Sequence, residues 1–484
     1  MTDTIAPPPH DAAPPPPPPS EPPPSMWDAV REAVRGTHHH DYTSGPIGRA
    51  ILLLAVPMVL EMVMESVFAV VDVFYVAHLG ADAVAVVGLT ESMLAIIYTI
   101  AMGLSIAVSA TVARRIGEKD PEGAAHAAAQ GIVLGGLVAL VLGALGVWLA
   151  PEILTVMGAS PAVIAQGTNY TRVMLGGNAS VLLLFLVNAI FRGAGDAAIA
   201  MRVLWLANWI NILLAPLLIW GVGPLPEMGV TGAATATTIG RGVGALFALS
   251  RLFRPGARVH VQRRHFSLDW LLMGRLLRLS GAGTFQIFVA TTSWIGLIRI
   301  LSTFGSTVLA GYVIGIRVVL FALLPSFGMS NAAATMVGQA LGAGDPERAR
   351  RAVWQAGRYN LWFLGSVAVV FLALAPQIVA LFTQDPAVAS VAVSCLRIVA
   401  LGFPFYAYGM VIGQSFNGAG DTWTPTWLNL ICFWAFELPL AWVLSGPMGM
   451  GPKGAFIAVM AAFSLVALLN ALMWRRGGWS RKKV

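Results

Sequence analysis

The chain has 484 residues, of which 57% are hydrophobic and only 11% charged, with a mean hydropathy of +0.74 and a formal net charge of +7. Soluble domains carry about 25% charged residues, so this composition excludes a soluble enzyme, a disulfide scaffold and a disordered chain. It suits a polypeptide dissolved in lipid, and at roughly 20 apolar residues per spanning helix the length accommodates about a dozen spans.

Residues 6–24 are largely proline, which buries no core and predicts an extended, disordered tail. That tail is drawn over residues 1–48, with a short amphipathic stretch at Met26–Arg35 and three histidines, His38–His40, that read as linker rather than as metal ligands. No signal peptide is expected, because the first apolar run starts after residue 48 and is far too long for one. Cys395 and Cys432 both fall inside apolar stretches, so no disulfide framework is implied.

From Arg49 onward apolar runs alternate with short polar breaks. Helices are expected near 50–77, 84–110, 124–149, 163–190, 197–221, 229–252, 275–303, 307–335, 352–375, 388–416, 424–445 and 454–475. Lipid leaves no partner for an open strand edge, so all twelve must be helices. Six spans lie in 49–253 and six in 275–476, joined by a linker at 254–274 and followed by a basic tail at 477–484. Of the 30 Lys and Arg, 24 fall in the two terminal segments and the even-numbered breaks, whereas the opposite loops carry only Lys453. By the positive-inside rule both termini are then cytoplasmic, in a multi-pass protein of the cell (inner) membrane.

The chain also repeats itself. Gly193-Ala194-Gly195-Asp196 recurs 225 residues later as Gly418-Ala419-Gly420-Asp421. Asp120-Pro121-Glu122 recurs as Asp345-Pro346-Glu347, and Gly80, Pro151, Pro161 and Arg172 return at the same offset. Near the end the offset slips to 222, with Gly229 matched by Gly451 and Gly232 by Gly454. Six spans per repeat is an even number, so both halves enter the membrane from one side. An all-α membrane protein with two parallel six-helix lobes around a central cavity is the transporter architecture such repeats imply.

At these residues the sequence resembles the multidrug and toxic compound extrusion (MATE) family. The segments carrying the resemblance are Leu54-Ala-Val-Pro57 through Val71-Asp72 to Leu79-Gly80, Arg192-Gly-Ala-Gly-Asp196, and Val337-Gly-Gln-Ala-Leu-Gly-Ala-Gly-Asp345-Pro-Glu-Arg-Ala-Arg350. It covers roughly 49–478 and looks closer to the DinF-like branch, since the membrane acids crowd into the first half and none occurs in spans 7, 8 or 10.

Intramembrane carboxylates are functional hypotheses by default, because each costs a few kcal/mol unless it faces a cavity or a partner. The first span has three, Glu61, Glu65 and Asp72. At about 100° per residue all three share one helix face and extend over roughly 16 Å of axis. They form a ladder of protonatable groups. The resemblance implies that Asp72 is the essential acid of this helix and that Pro57 is associated with its bending, and a proline there deletes one backbone hydrogen bond and supplies a hinge. It further places Asn188, Asn211 and Thr237, with Ala233, at the polar positions of the same site. DinF-like members commonly carry aspartate immediately before Pro216, where this chain has Ala215. A hard cation wants more than one charged oxygen, so a Na+ site at Asp72, Asn211 and Thr237 is weakened and protons are favoured. Glu91 and Arg172 are placed in the outer third of the first lobe, as an ion pair with each other or with Arg172 facing Asp72. Arg299, Arg317 and Arg397 read as structural or snorkelling, and Glu437 is unassigned.

The two Gly-Ala-Gly-Asp segments contain Gly-x-Gly-Asp, half of an intramembrane aspartyl protease signature, but no intramembrane Tyr-Asp partner exists. They read better as tight turns in which Asp196 or Asp421 caps the next helix. No His-Glu-x-x-His, Walker loop or nucleophile elbow appears, so no enzymatic activity, cofactor or nucleic-acid partner is expected. Energy must then come from an ion gradient. The expectation is a monomeric secondary antiporter exporting small amphiphilic, cationic compounds in exchange for H+ or Na+. A lipid-linked precursor flippase of the same superfamily is the nearest alternative, and a passive channel a remoter one.

Overall fold

The structure, a computed structural model, describes residues 26–36, 40–79 and 81–482. The proline-rich segment and His38–His39 lie outside the described residues. The first helix, α1 (Met26–Arg35), is followed by the spans: α2 (Ile47–Ala77), α3 (Ala81–Gly117), α4 (Pro121–Trp148), a short α5 (Ala150–Val156), then α6 (Pro161–Gly176) with α7 (Asn178–Ala194), α8 (Ala197–Trp220) and α9 (Val230–Leu252). The second lobe comprises α10 (Trp270–Ser302), α11 (Ser306–Gly342), α12 (Pro346–Ala380), the pair α13 (Pro386–Ala400) and α14 (Phe403–Gly418) bent by 61°, α15 (Trp423–Asn429) running through a π-helical stretch Leu430–Glu437 into α16 (Leu438–Ser445), and α17 (Pro452–Arg475). Counting α6 with α7, α13 with α14, and α15 with α16 as single crossings gives the expected twelve. No strand occurs among the described residues.

Local chemistry explains the boundaries. α4 starts at Asp120-Pro121 and α12 at Asp345-Pro346, the repeated motif. The aspartate accepts from the backbone N–H three residues on at 2.8 Å in both cases, while proline gives up no needed donor at the first helical position. Ser160-Pro161 and Asp385-Pro386 open α6 and α13 in the same way. Asp196 occupies the N-cap position of α8 without a side-chain cap bond, so the turn itself, with Gly195 left-handed at φ +90°, ends α7. In the second copy Asp421 accepts from the Thr424 hydroxyl at 2.7 Å, but Thr422 holds the N-cap position of α15, again without a side-chain cap bond. α9 is the least apolar crossing. Its threonines, glycines and Arg241 suit packing against α7 and α8 rather than contact with lipid.

Close contacts between the lobes fall in the halves of the helices nearest the chain termini. Gly103 of α3 lies against Thr284 of α10, Gly328 of α11 against the Met58–Val59 backbone of α2, and Gly342 of α11 against the Arg114 carbonyl of α3. A Cβ at any of them would collide, so glycine is what lets these backbones meet. An apolar cluster on the same side joins Ile51, Leu54 and Met58 to Met336, Val353 and Phe416, welding the lobes together there.

Three segments expected as loose tails or linker are docked. In 40–46, Tyr42 is buried and donates from its hydroxyl to the Gly195 carbonyl at 3.1 Å. Arg348 of α12 donates to the carbonyls of Tyr42 (2.9 Å), Ser44 (2.6 Å) and Gly45 (3.0 Å). Burial pushes the Tyr42 hydroxyl above the usual tyrosine range. α1 is held by the Glu32–Arg49 pair at 2.7 Å. The disordered stretch expected to reach residue 48 is therefore ordered over 26–36 and 40–48, because buried donors and acceptors fix it. The inter-lobe linker is tied to α4, with Gln130 donating to the His265 and Ser267 carbonyls and Glu122 facing Arg264 and His265. At the C-terminus Trp479 stacks on Trp474 at 3.9 Å, and Lys482 meets Asp421 at 3.4 Å.

Candidate functional site

The three carboxylates of α2 face the interior of the first lobe, and each meets a different environment. Glu61 is 2% exposed and accepts from Arg192 of α7 at 2.7 Å. One turn on, Glu65 accepts from Arg241 of α9 at 2.9 Å and from the Asn208 amide of α8 at 3.1 Å. Asp72, two turns further, is half-buried, and no ion pair among the described residues reaches it. Its charged neighbours by field are Glu91 and Arg241. The far part of α2 is anchored to α8 by the Tyr75 hydroxyl, which donates to the Ile212 carbonyl at 3.2 Å.

The ladder thus resolves into two neutralised pairs and one acid without a counter-ion. Arg192 sits in the last turn of α7 with its guanidinium turned to Glu61. Arg241 is the residue the sequence reading passed over. A single arginine in the midst of α9, flanked by Gly240 and Gly242, was the available signal. Its side chain is 3% exposed and its guanidinium lies over the rings of Phe68 and Phe185, with centroids at 5.3 and 5.9 Å. A buried cation needs this much compensation, from the carboxylate and from the aromatic faces.

Of the polar residues placed here, Asn211 donates to Thr237 at 2.7 Å, joining α8 to α9 in a buried contact. Asn188 is buried with its side-chain oxygen unpartnered. Ala215 and Ala233 are buried and apolar. No hydrogen bond links Asp72 to Asn211 or Thr237 among the described residues. Pro57 lies within an unbroken α2, next to the site where Gly328 packs on Met58.

Among the described residues no ion pair joins Arg172 to Glu91 or Asp72. Thr171 and Thr90 make the α6–α3 contact, with their hydroxyls 2.9 Å apart, so the next residue on each helix is turned away by about 100°. Arg172 is accordingly exposed, and Glu91 is exposed toward Arg317 of the second lobe, the one opposite charge acting on it. In the second lobe the polar core is neutral, with Ser326 donating to Asn360 at 2.8 Å. Within its membrane span the buried acid Glu437 ends the π-helical stretch with an oxygen that has no partner among the described residues.

Comparison with known proteins agrees with this architecture. The family description MatE matches residues 57–217 and 284–443, one match per lobe. The chain is 27% identical over 440 residues to the probable multidrug resistance protein NorM of Thermotoga maritima, covering 90% of this chain and 94% of that one. It is 25% identical over 443 residues to the probable multidrug resistance protein YoeA of Bacillus subtilis, covering 90% and 95%. A crystal structure of a MATE protein in the straight conformation superposes with a TM-score of 0.85 at 25% identity, covering 90% of this chain and 97% of that one. The two family matches, one in each lobe, and the superposition over 90% of the chain identify it as a member of the MatE family, a multi-pass membrane transporter and not an enzyme.

Proposed function

We propose that this protein exports small amphiphilic, cationic compounds across the cell membrane in exchange for protons, and that Asp72 carries the coupling proton. The observation that carries the reading is the contrast along α2: Glu61 and Glu65 each face a buried arginine, whereas Asp72 has no ion-pair partner among the described residues. The proposal therefore narrows the three-acid ladder to one exchangeable group and gives the other two a fixed, architectural charge. The relatives' names, multidrug resistance proteins, support the substrate class. The concentration of acids in the first lobe supports a place nearer the DinF-like branch.

The distribution of basic residues supports cytoplasmic termini, and the lobes meet on that side, so this conformation opens outward. In the proposed cycle, protonation of Asp72 from outside removes the site's unbalanced negative charge and releases a cationic substrate. Deprotonation toward the cytoplasm restores it. Proton and substrate then compete, and each lowers the other's affinity by the same factor. Pro57 supplies the hinge: it offers no N–H to the Leu53 carbonyl, so α2 bends there at reduced cost once the Gly328 contact is released. The chain works as a monomer in this scheme.

The test is dye efflux from proteoliposomes driven by an imposed pH gradient. Asp72→Asn, which imitates the protonated acid, is expected to abolish gradient-driven efflux and to weaken binding of a cationic dye; wild-type rates in that variant would refute the reading.

A further inference from the structure

We infer that Arg241 is a resident counter-cation that takes the place of a bound sodium ion in the first lobe and restricts coupling to protons. The inference rests on Asp72 as the coupling group and adds what selects the ion. Arg241 lies one helical turn beyond Thr237 on the same face of α9, so its positive charge is built in beside the polar pair Asn211–Thr237. Both oxygens of Glu65 are engaged, one by Arg241 and the other by Asn208, so its charge is already compensated by a guanidinium. Asn211 spends an amide N–H on Thr237.

The charge balance points the same way. Glu65 and Arg241 cancel, and the exposed Glu91 lies in the field of Arg317, so an ionised Asp72 is the uncompensated negative charge, which one proton neutralises. Sodium is a hard cation that needs several oxygen ligands and more than one anionic donor to offset its dehydration. Here it would find one carboxylate and a fixed guanidinium nearby. Arg241 also keeps Nε and Nη1 buried without acceptors. Spare N–H donors attract a carboxylate and repel a metal ion, so the groups left unsatisfied are of the wrong polarity for sodium. The ionisable groups sharing its field are Glu65, Asp72 and Tyr98, and the guanidinium is the one cation among them.

Arg241→Gln removes the resident charge and frees Glu65 as a second anionic ligand, while Arg241→Lys keeps the charge. The measurements are dye efflux with sodium and pH gradients imposed separately, and radiosodium binding to the purified, full-length protein. Wild type and Arg241→Lys are expected to ignore the sodium gradient. Arg241→Gln is expected to gain sodium binding and sodium-driven efflux by about tenfold, both lost again on adding Asp72→Asn. Sodium-driven efflux by the wild type, or sodium binding to it that Asp72→Asn removes, would overturn the inference even if Arg241→Gln fails to fold. A folded Arg241→Gln protein with unchanged ion preference would overturn it as well. Loss of proton coupling in Asp72→Asn combined with a sodium response in the wild type defeats this inference alone, whereas intact proton-driven efflux in Asp72→Asn defeats the reading beneath it.

Discussion

Arg192 donates to Glu61 at 2.7 Å across 131 residues of sequence, and its own carbonyl accepts from Thr335 of the other lobe at 3.1 Å. The first span, the fourth span and the second lobe therefore converge on one residue. Removing one member of a buried pair strands the other charge, at about 3–5 kcal/mol, whereas replacing both is far milder. Glu61→Gln is expected to lower the thermal unfolding midpoint in detergent markedly, and Glu61→Gln with Arg192→Gln to recover most of the loss. Strictly additive losses would mean that the pair contributes no coupling.

Arg348 closes three carbonyls of the 40–46 segment with one guanidinium, while Tyr42 and Arg258 fasten the same segment to the first lobe. Hydrogen bonds from a charged donor contribute about 1.5–3 kcal/mol each. Arg348→Ala is expected to raise amide hydrogen exchange across 40–46 with little change in the spans. Arg348→Lys should not restore protection, because an ammonium lacks the planar fork. Unchanged exchange in Arg348→Ala would show that the apolar burial of Tyr42 is sufficient.

Gly195 combines φ +90° with a neighbour in the way: a Cβ there would stand 2.6 Å from Cε2 of Tyr42. Gly158 has φ +82° and open space around it. Left-handed backbone costs a non-glycine residue about 1–2 kcal/mol. Gly158→Ala is expected to show that strain alone, and Gly195→Ala a larger loss that Tyr42→Ala partly relieves. Equal effects at the two sites would remove Tyr42 from the explanation.

Asp269 caps α10 where the linker ends. The Leu272 N–H, together with His126, holds its carboxyl below the ordinary carboxylate range. A carboxyl whose folded pKa is depressed stabilises the fold above its unfolded value, near pH 4, and that contribution fades as the pH falls toward the folded value. Linker protection measured by hydrogen exchange is therefore expected to hold from neutrality to about pH 4 and to weaken below it. Asp269→Ala should lack this acid step, and an identical acid profile in that variant would assign the step to another group.

Glu437 carries an acid into the second lobe with one oxygen unpartnered. An unpaired buried charge is costly, so Glu437→Gln is expected to leave the unfolding midpoint unchanged or raise it. Proton-driven efflux should also persist. Its loss would bring the second lobe into the coupling step.

Much of this molecule was legible in order along the chain. Span positions, the offset of 225, the repeated Asp-Pro-Glu motif at Asp120 and Asp345, and the shared face of Glu61, Glu65 and Asp72 are short-range or periodic features. Helical geometry converts such features directly into structure. Partner choice was not legible. Glu61 and Glu65 looked alike as neighbours on one stripe, and Arg172 rather than Arg192 was the arginine offered for pairing in the first lobe. Only the rotation of α6 about Thr171 turned Arg172 away. Arg241 was hidden for the same reason, since one arginine in a threonine- and glycine-rich helix has no meaning until α9 is set against α2.

What the sequence determined by itself was the solvent, the number of crossings, the two-lobe repeat and the helix face on which the acids stand, because lipid enforces helices and a helix enforces its periodicity. What the tertiary structure alone decided was which acids keep a counter-charge and which terminal segments stay bound to the lobes. Those outcomes depend on distances of about 3 Å between groups more than a hundred residues apart, and a buried charge is defined by its nearest neighbour in space rather than by its neighbours in the chain.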